Sequence, residues 1–151
     1  MLILSRAGVK KSLGLPEEGE PFIFCDLCPE RRLDLARILV IDDEAQMRWM
    51  LREMLEQAGY EVMEASNGKD GVELYRKDPP DLVITDIVMP EKDGLAVIEE
   101  LRREYLDAKI IATAGFGNVV LPRARELKAD RTFSKPFRVV ELLAAVKELL
   151  G

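Results

Sequence analysis

Histidine is absent from the 151 residues, and only two cysteines are present. Without imidazole there can be no Ser-His-Asp triad, no His-ligated zinc or haem, and no phosphohistidine carried by this chain. Two thiols make no disulfide scaffold and fit a reducing compartment. Long apolar runs are missing too. The longest early one is Met1–Leu4, too short for a signal-peptide core, and no 18-residue apolar stretch exists for a membrane helix. A basic excess is also lacking, since 22 Lys and Arg face 28 Asp and Glu for a net charge of −6. That balance argues against direct nucleic-acid binding, which draws on a basic face. What is present is 48% hydrophobic and 33% charged residues, enough for the core of one ordinary cytoplasmic domain.

The chain divides in character near residue 36. Residues 1–35 scatter Gly8, Gly14, Pro16, Gly19, Pro21 and Pro29 through mixed charge without a sustained period, and read as an irregular extension. Over 36–151, strand-like and helix-like segments alternate. Ile38–Ile41 is a continuous apolar run, suited to a strand covered on both faces, and it stops at Asp42-Asp43-Glu44. Met47, Leu51, Met54, Leu55 and Ala58 recur at helical spacing, with Gly59 as the helix stop. Tyr60–Ala65 is a weaker strand, and Ser66 and Asn67 are candidate caps for a helix ending before Pro79-Pro80. Leu82–Ile84 and Ile110–Thr113 read as further buried strands, with a helix opening at Gly94 between them. A short helix is expected from Pro122, because proline suits a first helical position. Arg131–Lys135 is the fifth strand, and Val139, Leu142, Leu143, Val146 and Leu149 mark the last helix.

Five β-α units in succession predict a five-stranded, doubly wound parallel sheet of flavodoxin-like type, an α/β three-layer sandwich. Ligands of such folds bind outside the C-terminal strand ends. There the sequence collects Asp42 and Asp43 from the first strand and Asp86 from the third. The fourth adds Thr113-Ala114, and the fifth adds Lys135-Pro136. One Asp after a strand is ordinarily a turn former or cap. Three carboxylates at one sheet edge repel unless a cation joins them, and oxygen ligands suit Mg²⁺. A hydroxyl and a point-like ammonium suit phosphoryl oxygens, and a carboxylate can attack phosphorus to give an acyl phosphate.

These segments together resemble the receiver domain of bacterial two-component response regulators, of the CheY-like type. The likeness is carried by Ile38–Glu44, Asp86-Ile87-Val88-Met89-Pro90 with Asp93-Gly94, Thr113-Ala114 and Lys135-Pro136-Phe137. It implies that Asp86 is the phosphoacceptor and that Asp42, Asp43, Asp86 and the Val88 backbone carbonyl hold Mg²⁺. It further implies that Lys135 and Thr113 contact the phosphoryl group, that the Ala114 amide approaches it, and that Pro136 follows a cis bond. The donor would be a sensor histidine kinase or a histidine phosphotransfer protein. The output would be a changed α4–β5–α5 surface read by a downstream protein, in a monomer or a phosphorylation-dependent dimer. Because the chain stops after the last helix, a stand-alone receiver is expected.

Several positions depart from that pattern. The family's aromatic switch position holds Thr132, with Phe133 beside it, so the expected switch region is Thr113, Gly115, Phe116, Thr132 and Phe133. Val88 and Gly115 offer no side chain to orient a hydrolytic water, which predicts slow autodephosphorylation. A degenerate receiver that binds partners without phosphorylation is the alternative reading. A haloacid-dehalogenase-like phosphatase is less favoured, because Glu44 stands where its second Asp would be. Trp49 lies on the opposite side of the first helix from Met47, Leu51 and Met54, as a candidate partner contact. Cys25-Asp26-Leu27-Cys28 lacks the further ligands that tetrahedral zinc needs. Leu35-Ala36-Arg37 resembles the usual start of a free-standing receiver, so residues 1–34 are a candidate mis-assigned start.

Overall fold

The computed structural model describes residues 35–115 and 117–151, so the expected extension, apart from Leu35, and both cysteines lie outside the described residues. The elements alternate as β1 (Arg37–Ile41), α1 (Ala45–Gln57), β2 (Glu61–Ala65), α2 (Gly68–Lys77), β3 (Leu82–Asp86), α3 (Gly94–Glu104), β4 (Ile110–Ala114), α4 (Gly117–Glu126), β5 (Arg131–Ser134) and α5 (Val139–Leu150). All neighbouring strands run parallel, in the order β2-β1-β3-β4-β5. The chain therefore reverses its direction of winding after β2, which opens a crevice between β1 and β3 at their C-terminal ends.

The central strands are apolar on both faces because both faces are covered. Leu39, Ile41, Val83, Ile110 and Ala112 pack with Val72, Tyr75, Val97, Ile98, Leu101, Leu121 and Ala124 of α2, α3 and α4. On the other face Ile38, Val40, Leu82, Ile84 and Ile111 meet Leu51 and Leu55 of α1 and Leu142, Ala145 and Val146 of α5. The outer strand β5 is only half-buried, and Phe133 packs from it toward α5, its ring centroid 6.0 Å from that of Phe137.

Local signals set the helix ends. Asn67 accepts the Asp70 amide at 2.8 Å and caps α2, and Asp93 accepts the Ala96 amide at 2.9 Å and caps α3. Gly59, at φ 98°, turns the chain out of α1 while its amide donates to Glu56 O and that of Tyr60 to Leu55 O. The start of α4 differs from the expectation. It begins at Gly117, and Pro122 lies inside it. Leu121 and Ala124 are buried against the sheet, with Val120 packed beside them. Those contacts draw the turn before Pro122 into the helix, although proline has no amide to donate there.

Gly94 begins α3 directly beneath the end of β3, donating its amide to Ile87 O at 2.8 Å. A Cβ at this position would lie 2.6 Å from Ile87 Cα and closer still to the Asp86 carbonyl oxygen. Both obstacles are backbone and cannot rotate away. Gly94→Ala is expected to lower the unfolding free energy by about 2 kcal/mol, as overpacking does. Urea denaturation measures this, and an unchanged midpoint would refute so close an approach.

Candidate functional site

Strand register assembles the site. Ile41 is level with Thr85, so Asp42, one residue on, comes level with Asp86, which itself pairs with Thr113. Thr113 pairs with Phe133 and Ala114 with Ser134, and the Lys135 amide extends that ladder by donating to Ala114 O at 2.8 Å. The chemistry-bearing residues thus stand in one row across four C-terminal strand ends. The Lys135–Pro136 peptide is cis.

Carboxylate oxygens of Asp42, Asp43 and Asp86 all lie within 4.8 Å of one another. Asp42 and Asp86 are buried, whereas Asp43 is exposed at the mouth. Lys135 Nζ reaches into the group, 3.1 Å from Asp42 Oδ2 and 3.4 Å from Asp86 Oδ1. Backbone amides fix the acids further. Asp42 Oδ1 accepts from Glu44 N at 2.9 Å, and Asp86 Oδ1 accepts from Ile87 N at 3.0 Å.

The electrostatics follow from this crowding. Burial, reinforced by the Asp42 charge, pushes the Asp86 carboxyl up to about 6 against the opposing pull of Lys135. Burial alone would lower the Lys135 ammonium, yet Asp42 and Asp86 overcome it and leave its pKa raised. One ammonium among three carboxylates leaves a net negative pocket of oxygen donors, a set that fits a hard divalent cation with room for water.

The other sequence-selected residues fall around this pocket. Thr113 is buried, shares a sheet face with Asp86 by register, and its hydroxyl has no hydrogen-bond partner among the described residues. Ala114 is buried at the same strand end. Val88 is 54% exposed just beyond Asp86, and Gly115 is exposed with open space around it. Phe116 lies outside the described residues. Thr132 faces α4, where its Oγ1 accepts from Arg125 Nε at 3.1 Å. Trp49 is 56% exposed on α1, beside Glu44, Gln46, Met47 and Met50, with which it lines a shallow depression of about 320 Å³.

Two features escape the sequence pattern. Arg125 occupies the neighbourhood of Thr132, as just described. Arg48, in the first turn of α1, donates from Nη1 to the Asp42 carbonyl at 2.8 Å and from Nε to Glu64 Oε1 of β2 at 3.3 Å. Its sequence signal is a basic residue five positions after Asp43.

Comparison with known proteins agrees with this geometry. Residues 38–147 match the family described as the response regulator receiver domain. The chain is 41% identical over 117 residues to the chemotaxis protein CheY of Thermotoga maritima, covering 98% of it and 74% of this chain. It is 42% identical over 115 residues to the probable transcriptional regulator ycf27 of Porphyra purpurea, covering 76% of this chain and 47% of that protein. The chain thus spans about half the length of the ycf27-type relatives it matches. Among solved structures, the response regulator protein TrrA of Thermotoga maritima in complex with Mg²⁺-BeF superposes with a TM-score of 0.72 at 39% identity. That alignment covers 77% of this chain and all of TrrA.

The fold and the acidic pocket define a CheY-like receiver, and the chain belongs to the response regulator receiver domain family of two-component signalling. Receivers of this family are phosphoacceptor modules that generally bind Mg²⁺ at the acidic pocket and work with histidine kinases or phosphotransfer proteins. No helix among the described residues is long and apolar enough to cross a membrane.

Proposed function

We propose that this chain receives a phosphoryl group on Asp86 from a phosphohistidine donor and changes its α4–β5–α5 surface for a downstream protein partner. The observation that carries this reading is Lys135 Nζ lying between Asp42 and Asp86 within a group of three mutually close carboxylates. An Asp86 oxygen attacks phosphorus as the donor's P–N bond breaks, and the imidazole leaves with the bonding electrons. The acyl phosphate remains on Asp86. Lys135 neutralises a phosphoryl oxygen, and the Thr113 hydroxyl and Ala114 amide donate to others. Mg²⁺ would be held by Asp42, Asp43, Asp86 and the Val88 carbonyl, and supplies charge neutralisation for the transferring group.

Hydrolysis then returns Asp86 to its free form. Neither Val88 nor Gly115 presents a polar side chain to orient water, so the acyl phosphate is slow to turn over. The setting is cytoplasmic, with residues 36–151 as the receiver and residues 1–35 as an extension. Contact is with proteins rather than directly with nucleic acid, and the chain works as a monomer or as a phosphorylation-dependent dimer. The burial of the Thr113 hydroxyl, which has no partner among the described residues, supports a role for it in switching.

Incubation with acetyl phosphate tests the reading. Label is expected to accumulate on the wild type only with Mg²⁺ and to be lost in Asp86→Asn. Mg²⁺ binding without any labelling would instead favour a phosphorylation-independent binding module.

A further inference from the structure

We infer that Arg48 is a positioning residue for the metal-binding Asp42-Asp43 pair, braced from the next strand by Glu64. This inference rests on the receiver reading above and deepens it.

The strand ladder ends at Asp42, whose amide donates to Ala65 O at 3.2 Å. Asp43 lies beyond the ladder and is exposed, yet it must place a carboxylate within the pocket. The Asp42 side chain is held by Glu44 N and Lys135, but these bonds leave the following peptide unfixed. That peptide plane carries the Asp42 carbonyl on one side and the Asp43 amide on the other, so its orientation sets the direction of the Asp43 side chain. Arg48 Nη1 holds this carbonyl at 2.8 Å.

The guanidinium is itself aimed. Its Nε donates to Glu64 Oε1 at 3.3 Å, and the second Glu64 oxygen is held by Arg52. Arg48 and Glu64 are 19% and 26% exposed at their side chains, so water competes little for these bonds. A planar fork can serve two acceptors in different directions at once, whereas one ammonium cannot hold the same geometry. Groups that orient metal ligands commonly change affinity by 10–100-fold when removed. Arg52 provides an internal comparison, because it touches Glu64 but neither aspartate.

Titration calorimetry with MgCl₂ on the full chain tests the inference. Arg48→Met is expected to weaken Mg²⁺ binding about tenfold or more. Arg48→Lys should lose most of the same affinity despite its unchanged charge, and Glu64→Ala should lose less. Arg52→Met should bind as the wild type does. At saturating Mg²⁺, acetyl phosphate should label Arg48→Lys at the wild-type rate, since ligand placement rather than phosphoryl chemistry is affected. Wild-type affinity in Arg48→Met would overturn the inference. Full affinity in Arg48→Lys would too, by reducing the effect to charge. An equal loss in Arg52→Met would likewise overturn it, as a general loosening of α1. A wild-type chain that binds no Mg²⁺ would instead overturn the receiver reading itself.

Discussion

Lys135→Met is expected to lower the unfolding free energy of the metal-free protein by about 3 kcal/mol at pH 7, because it strands buried carboxylates without their cation. Lys135 is the ammonium within 3.4 Å of both Asp42 and Asp86, and its side chain is only 16% exposed. Methionine keeps the length and removes the charge, so packing changes little. The Asp42 and Asp86 side chains then lie close together in a largely buried setting without the ammonium between them. The effect should shrink as pH falls, because Asp86, pushed up to about 6 even with Lys135 beside it, can take a proton and relieve the repulsion. Lys135 itself has its folded-state pKa raised, so its own titration leaves this contribution intact throughout the acidic and neutral range. Urea denaturation in EDTA at pH 5 and pH 7 measures both. Equal stability of variant and wild type at pH 7 would show that the ammonium does not compensate the acids.

Asp86→Asn is expected to act in the opposite direction, raising metal-free stability by about 2 kcal/mol at pH 7. Burial and the Asp42 charge push the Asp86 carboxyl up to about 6 from its ordinary value near 4. The folded chain therefore binds this proton more tightly than the unfolded chain does. The contribution of Asp86 to stability is then fully present below about 4, declines as pH rises to about 6, and is flat above that. A shift of that size corresponds to roughly 3 kcal/mol, reduced here because water reaches the pocket mouth. Asparagine removes the charge and retains an oxygen for the Ile87 amide, the bond Asp86 makes at 3.0 Å. The two proteins should converge in stability at pH 4. Saturating Mg²⁺ should stabilise the wild type more than the variant, since a bound cation offsets the same repulsion. A variant less stable than the wild type at pH 7 in EDTA would contradict the crowding.

The sign of these two effects distinguishes a functional cluster from a structural one. A pocket built for stability alone would balance its charges. This one leaves net negative charge in a largely buried setting, an imbalance that suits a cation.

Much of this arrangement is legible in the sequence for a simple reason. Continuous apolar runs such as Ile38–Ile41 and Leu82–Ile84 suit strands buried on two faces, and in a parallel sheet the polar residue that ends each run emerges at the same edge. Parallel pairing then converts those strand ends into one row, so the gathering of Asp42, Asp43, Asp86, Thr113 and Lys135 follows from element order. The start of α4 follows less readily. The preference of proline for a first turn points to Pro122, while burial of Leu121 and Ala124 extends the helix back to Gly117. Local propensity there yields to tertiary packing.

Side-chain bonds between different elements are harder still to read. Arg48 finds Glu64 across 16 residues, and Arg125 finds Thr132 across α4 and β5. Neither pairing has a spacing rule, because each depends on how a helix lies over the sheet. The hydroxyl of Thr132 ties β5 to α4 through the Arg125 guanidinium.

Asp86 is proposed to accept the phosphoryl group in a Mg²⁺-dependent reaction. Borohydride reduction after treatment with acetyl phosphate tests it most directly, because hydride reduces an acyl phosphate to an alcohol and marks the acceptor as homoserine in a peptide map. Homoserine is expected at position 86 alone, dependent on Mg²⁺ and reduced in Lys135→Met. Homoserine at Asp42, Asp43 or another carboxylate, or at position 86 equally without Mg²⁺, would contradict it.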